Sequence, residues 1–366
     1  MRILSLIALF LLIVGVTFAQ PTDSSLYVAP ADPAPTMRGL ETNPQSPEKI
    51  ELGRLLFFDP ILSRDKSMAC ATCHHPAFGL SDGRGKSIGI GGRGVGPDRT
   101  GGATLARHSP SLWNVGFVRT LFWDGRAETL EAQADDVLRE PLEMNHTPDG
   151  IVAALRDIPE YAQQFATAFP KDETPLAYEN VLKALASFQR SLYTLDSPYD
   201  AYRWGDEDAL NESAKRGMGL FFSTKWNCGT CHPAPLFHTN EFVVTGVPEF
   251  GKRDEGRRAI SGEGPVGAFK VPTLRNIAET APYMHNGEFE TLEDVLRFYI
   301  NGAGWDHPDL DPRTKWIDKT ENEVEDVIAF LHALTDTSRM PEVPERIPSG
   351  LPVPRATPVA IAPLDF

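Results

Sequence analysis

All four cysteines of the 366-residue chain fall in two copies of one pentapeptide pattern, Cys70-Ala71-Thr72-Cys73-His74 and Cys228-Gly229-Thr230-Cys231-His232. This C-x-x-C-H spacing is the attachment signature of a c-type haem. Two thiols about one helical turn apart can add to the two vinyl groups of one macrocycle, and the adjoining histidine then reaches the iron as its proximal ligand. Paired cysteine knuckles of a zinc site normally lie about 15–20 residues apart, whereas Cys73 and Cys228 are separated by 155. Two redox-active cysteine pairs are the other alternative. Neither accounts for a histidine after each second cysteine.

The two motifs sit in two copies of a longer unit. Gly53-Arg54-Leu55-Leu56-Phe57-Phe58 precedes the first motif, and Gly217-Met218-Gly219-Leu220-Phe221-Phe222 precedes the second. Pro110-Ser111-Leu112-Trp113-Asn114 matches Pro272-Thr273-Leu274-Arg275-Asn276, and the segments starting at Gly125 and Gly287 match as well, both 162 residues apart. Four blocks in one order indicate a duplication. Each unit reads as helical. Ser46-Pro47 starts a helix carrying Ile50, Leu52, Leu55 and Leu56. Thr320 and Glu323 form a capping box ahead of Val324, Val327, Ile328, Leu331 and Leu334. An amphipathic stretch with Val181, Leu182, Leu185, Phe188 and Leu192 links the halves.

The length fits two domains, and 30 glycines with 31 prolines predict long loops. A net charge of −15 excludes a nucleic-acid partner, which needs a basic face. Ile3 to Val16 is an apolar run behind Arg2, followed by a small-residue cleavage site at Ala19; residues 1–19 therefore read as a cleaved signal peptide of an exported protein. An uncleaved anchor would need about 20 apolar residues. No later run is long enough to span a membrane. Residues 20–45 form an N-terminal extension, and the proline-rich tail 338–366 is expected to wrap the surface in extended form.

Between Gly83 and Gly102 nine of 20 residues are glycine. The G-x-G-x-x-G at Gly89, Gly91 and Gly94 lacks a preceding strand, and Gly96-Pro97 stands where a helix should start, so it is not a nucleotide loop. Glycines here let backbone pass close to a haem edge. In the repeat, Tyr299 falls opposite Val137. A phenolate can ligate ferric iron and a valine cannot; a packing role beside Phe298 is the plainer reading of Tyr299. The first iron is left with His74 and no evident second ligand. Trp123, Gln133 and Glu143 are spaced ten residues apart nearby, and the apolar flanks of Glu143 suit it to move a proton. An exposed glutamate and a core tryptophan are the alternatives.

The chain from about Glu48 to Pro354 resembles the bacterial dihaem cytochrome c peroxidase superfamily, particularly its MauG-like branch. The resemblance is carried by Leu52 to Pro60, both haem motifs, Phe122-Trp123-Asp124-Gly125-Arg126-Ala127, Gln133, Pro141-Leu142-Glu143-Met144, Val271 to Asn276 and Ala281-Pro282-Tyr283. It implies a mainly α fold of two tandem cytochrome c-like domains with long loops, one c-type haem each, here assigned to 46–175 (peroxidatic haem) and 176–337 (electron-transfer haem). It implies covalent attachment at Cys70, Cys73, Cys228 and Cys231. The iron ligands it implies are His74, His232 and Tyr299, and a peroxide site is flanked by Gln133 and Glu143, with Trp123 between the haems. Similar peroxidases that need reductive activation carry a histidine ligand where this chain has Ile90 and a methionine where it has Tyr299; both departures match the MauG-like branch. Proline is common where Val137 stands. A calcium ion between the haems is implied through the carbonyls of Thr280 and Pro282, but the asparagine of that site is replaced by His108, and calcium prefers oxygen donors.

The implied activity is that of a periplasmic oxidoreductase. It reacts with hydrogen peroxide at an open first haem and draws electrons from a small cytochrome c or copper protein. The alternatives are a MauG-like maturase that oxidises residues of a partner protein, with Trp226 as a rim relay or a packing residue, and a non-enzymatic dihaem electron carrier. Ile90 and Val137 count against the carrier, which has no need of an open iron.

Overall fold

The computed structural model describes residues 35–249, 251, 253–315 and 321–357. The expected signal peptide and Thr320 of the expected capping box lie outside them. Helix α1 (Pro47–Phe57) starts where the Ser46 hydroxyl accepts the Lys49 N–H and proline fills the first helical position. The one-turn α2 (Cys70–Cys73) carries the first motif, and α3 (Leu130–Arg139), α4 (Pro148–Arg156), α5 (Pro159–Ala168) and α6 (Tyr178–Ser191) follow. Helices α1 and α6 cross at Gly53, where a methyl group would run into the Ala184 carbonyl and the Phe188 side chain. Only glycine allows that approach.

The second half repeats this plan. It comprises α7 (Pro198–Arg203), α8 (Glu212–Phe222), α9 (Cys228–Cys231) with the second motif, α10 (Arg258–Ser261), α11 (Leu292–Ile300), α12 (Pro312–Lys315) and α13 (Val324–His332). Helix α8 meets α13 at Gly217 as α1 meets α6 at Gly53, with the Asp326 carbonyl and Phe330 on the other side. Thr129 caps α3 by accepting from Ala132, and Thr291 caps α11 by accepting from Asp294. Asn114 and Asn276 both adopt left-handed backbone; their side-chain oxygens accept the N–H of Thr194 at 3.1 Å and of Asp336 at 2.7 Å. The duplication read from the sequence is thus repeated in caps, crossings and turns.

Two hydrophobic cores result. The first gathers Leu56, Phe57, Trp113, Ile151, Tyr161, Phe165 and Phe188, among others; the second gathers Phe221, Trp226, Phe237, Val327 and Phe330. Helix α6 contributes Val181, Ala184, Leu185 and Phe188 to the first core. Helix α6, which the expected boundary at 175/176 assigns to the second domain, packs its apolar face on α1. Residues 338–357, the described part of the tail, form no helix and return to the first core through Ile347, with Ser349 donating to Asp59 at 2.7 Å.

Strand content among the described residues is limited to two antiparallel ladders of two residues per strand. Strand β1 (Gly92–Arg93) pairs with β2 (Thr100–Gly101) within the glycine loop, and β3 (Phe242–Val243) pairs with β4 (Phe269–Lys270). The last of these leads to the seam between the halves. There the Lys270 N–H donates to the Trp123 carbonyl and the His108 N–H to the His285 carbonyl, both at 2.8 Å. Arg107 grips Asp254 with two hydrogen bonds of 2.6 and 2.9 Å and Asp124 with a third of 2.6 Å. The described residues all fall within one compact unit.

Candidate functional site

A cavity of about 780 Å³ opens beside α2. Its wall includes Cys70, Cys73 and His74 on one segment and Gln133, Val137 and Glu143 on another, with Trp123 at the seam. Gln133 and Val137 are one turn apart on α3 and so share a face. Beyond α3 the chain reverses: the Glu143 N–H donates to the Glu140 carbonyl at 3.0 Å, and Met144 is buried. That turn delivers Glu143 to the cavity wall. Burial pushes its carboxyl up to about 7; the nearby Arg126 opposes the shift, while Glu140 and Asp136 reinforce it. A carboxyl poised there can both take and give a proton near neutrality.

His74 is organised as a ligand. Its Nδ1 lies 3.1 Å from the Leu80 carbonyl, which can only accept, so Nδ1 carries the hydrogen and Nε2 keeps its lone pair. Burial drops its pKa to about 4, so the ring is neutral. His232 repeats this with Nδ1 2.9 Å from the Phe237 carbonyl and the same depression to about 4. The four cysteines are free thiols, and burial holds Cys70 un-ionised, its pKa pushed up to about 12. Neutral thiols, a neutral imidazole with an oriented lone pair and a cavity of this size fit a haem at the first site. At the second site Tyr299, on α11, is half-buried close to Cys228 and Cys231, and burial with those two sulfurs raises its phenol above the usual value.

Trp123 donates its indole N–H to the His108 carbonyl at 2.9 Å and meets the His285 ring edge-on at 6.5 Å. Ile90 does not line the cavity; its main chain bonds to Leu142 and Ala103 instead. Trp226 is fully buried in the second core with its indole N–H on Glu323 at 2.9 Å, so it is a packing residue and not a rim residue. At the expected calcium residues the carbonyls of Thr280 and Pro282 accept no hydrogen bond from a described residue, yet the His108 ring is turned to the Arg84 carbonyl at 2.7 Å and the Ser81 hydroxyl at 3.3 Å. Among the described residues no three His, Cys, Asp or Glu side chains cluster as a metal site. The donor set does not complete a calcium site, since the third position offers nitrogen to a cation that takes oxygen.

Sequence reasoning overlooked Lys270 and His285. Lys270 lines the same cavity, and burial alone draws its ammonium down to about 8. His285 stacks on Phe269 at 3.7 Å and pairs with Glu249 at 3.1 Å. Lys270 adjoins the Val271-Pro272 block of the repeat, the one available signal for it; His285 had none.

Two helical cores, each with a neutral histidine and two free thiols beside it, fit an oxidoreductase of the di-haem class. The family model for di-haem cytochrome c peroxidases matches residues 47–208. Methylamine utilization protein MauG of Methylorubrum extorquens is 39% identical over 295 residues, 80% of each chain. Cytochrome c551 peroxidase of Pseudomonas aeruginosa is 33% identical over 312 residues, 83% of this chain and 84% of that one. A solved MauG-like protein associated with microbial copper homeostasis superposes with a TM-score of 0.75 at 33% identity, covering 86% of this chain and 97% of that chain. The chain belongs to the di-haem cytochrome c peroxidase family and is an enzyme of the peroxidase and MauG-like kind.

Proposed function

We propose that this protein is a periplasmic dihaem peroxidase that reduces hydrogen peroxide at an open first haem with electrons from a small redox protein. The observation that carries this reading is the half-buried Glu143 carboxyl, titrating near 7 on the wall it shares with His74, Gln133 and Trp123. Haem would be held by Cys70 and Cys73 with His74 and by Cys228 and Cys231 with His232, and would supply the redox chemistry of O–O cleavage and electron storage. Tyr299 would be a further iron ligand at the second site. Gln133 would orient peroxide from α3. Glu143 would accept a proton from one peroxide oxygen and return it to the other, from which water would leave. Trp123 connects the two sites across the seam. Two electrons and two protons complete the reduction of one peroxide to two waters. Lys86, Arg107 and Lys270 line the cavity and would supply positive charge to the carboxylates of a bound haem. No step is assigned to calcium.

Export to the periplasm rests on the signal read in residues 1–19; among the described residues no helix is long and apolar enough to cross a membrane. A second reading, oxidation of residues on a partner protein, is favoured by the 39% identity to a MauG and by Tyr299 lying against both cysteines of the second motif. The test of the shared chemistry is an optical spectrum of ferric holoprotein before and after one equivalent of peroxide. An immediate change without prior reduction supports an open first haem. An inert ferric protein means that the first iron is closed, and the reading fails. Rapid turnover with a reduced small donor then selects the peroxidase, and slow turnover with oxidation of a co-encoded protein selects the maturase.

A further inference from the structure

We propose that Arg99 is a positioning residue for Glu143, acting through the glycine loop; this rests on the peroxide reading above. Arg99 is 1% exposed. Its guanidinium donates only to main-chain carbonyls: Nε to Ile88 at 2.8 Å, one terminal nitrogen to Gly89 at 2.7 Å, and the other to Gly94 at 3.1 Å and Ser67 at 3.4 Å. It forms no salt bridge with a described residue. A buried cation spending its whole fork on carbonyls is an organiser of backbone. Gly92 leaves room for it, since a methyl there would press on the guanidinium.

What this cage holds in place is the wall behind Glu143. The Gly89 N–H donates to the Ala103 carbonyl at 2.7 Å, and Ala103 returns a bond to Ile90 at 3.1 Å. The Ile90 N–H reaches across to the Leu142 carbonyl at 3.2 Å, and Gly89 packs so closely on that carbonyl that a methyl could not fit. Leu142 itself is 51% exposed. The turn carrying Glu143 is therefore positioned from outside by Gly89 and Ile90, which Arg99 fixes. Sequence reasoning placed these glycines against a haem edge; the structure places Gly89 against the Leu142 carbonyl.

The test uses holoprotein carrying Arg99→Lys, which keeps the charge but loses the planar fork, and Gly89→Ala, which disturbs the same contact from the other side without altering the guanidinium. Haem content is checked by pyridine haemochrome. Amide hydrogen exchange at Ile90 and Ala103 is expected to rise about tenfold or more in Arg99→Lys. Peroxide reaction is expected to slow about a hundredfold in both variants, with the pH midpoint moving away from 7. Wild-type exchange in Arg99→Lys overturns the proposal, and so does faster exchange with an unchanged peroxide rate and pH midpoint. If Arg99→Lys does not fold, a wild-type rate and midpoint in Gly89→Ala overturns it. Ferric wild type inert to peroxide is a different result, read before any variant, and it overturns the functional reading itself.

Discussion

At the scale of single residues, chemistry follows from which side chains lose water. Glu143 has an ordinary pKa of 4.5 and is pushed up to about 7; below that pH it is protonated and cannot take a proton from peroxide. The peroxide rate is expected to rise with pH through about 7, which stopped-flow mixing across pH 5–9 measures. Glu143→Gln should keep its haem, lose that pH limb and slow by about a hundredfold to ten-thousandfold. An unchanged rate removes Glu143 from the scheme. The ring of His108 makes a second residue-scale prediction. Chelation of calcium should leave the wild-type optical spectrum unaltered, whereas His108→Asn, which puts an oxygen donor at the position where the implied site needs one, should gain bound calcium in elemental analysis. Stoichiometric calcium in the wild type would refute this.

Elements meet through the glycines that the duplication preserved. Gly53 and Gly217 each sit under a carbonyl of the crossing helix, while Gly219, two residues along α8, has nothing near its missing side chain. Gly53→Ala and Gly217→Ala are each expected to cost about 1–3 kcal/mol by overpacking, and Gly219→Ala to add about 0.5–1 kcal/mol by helix propensity. Thermal melts of the three variants read the signs directly. The same elements mark where sequence reading succeeded. Ser46-Pro47 and the spacing of Leu52, Leu55 and Leu56 specify α1 locally, and the haem motifs specify their own histidines. Periodicity in α6 predicts a buried face but not that α1 buries it. Nothing local links Gly89 to Leu142, 53 positions away, and Trp226 reads as surface or core until the chain is folded around it.

Across the whole molecule, the cavity wall draws on both halves. Cys70, His74 and Glu143 come from one half and Lys270 and His285 from the other, joined by the Arg107 grip on Asp254. Losing that grip should loosen the seam without touching either haem motif. The net charge of −15 then governs who can dock. A basic small cytochrome c is steered to such a surface, and its attraction is screened over about 8 Å at physiological ionic strength. Peroxide turnover with a basic donor is therefore expected to lose kcat/KM as salt is raised from about 10 mM to 500 mM, while the single-turnover reaction of ferric protein with neutral peroxide stays flat. Measuring both on one preparation separates docking from chemistry. A salt-independent kcat/KM would show that the donor is neutral or acidic at its contact face, and a salt-sensitive single turnover would show that the cavity's own charges, not the partner's, carry the effect.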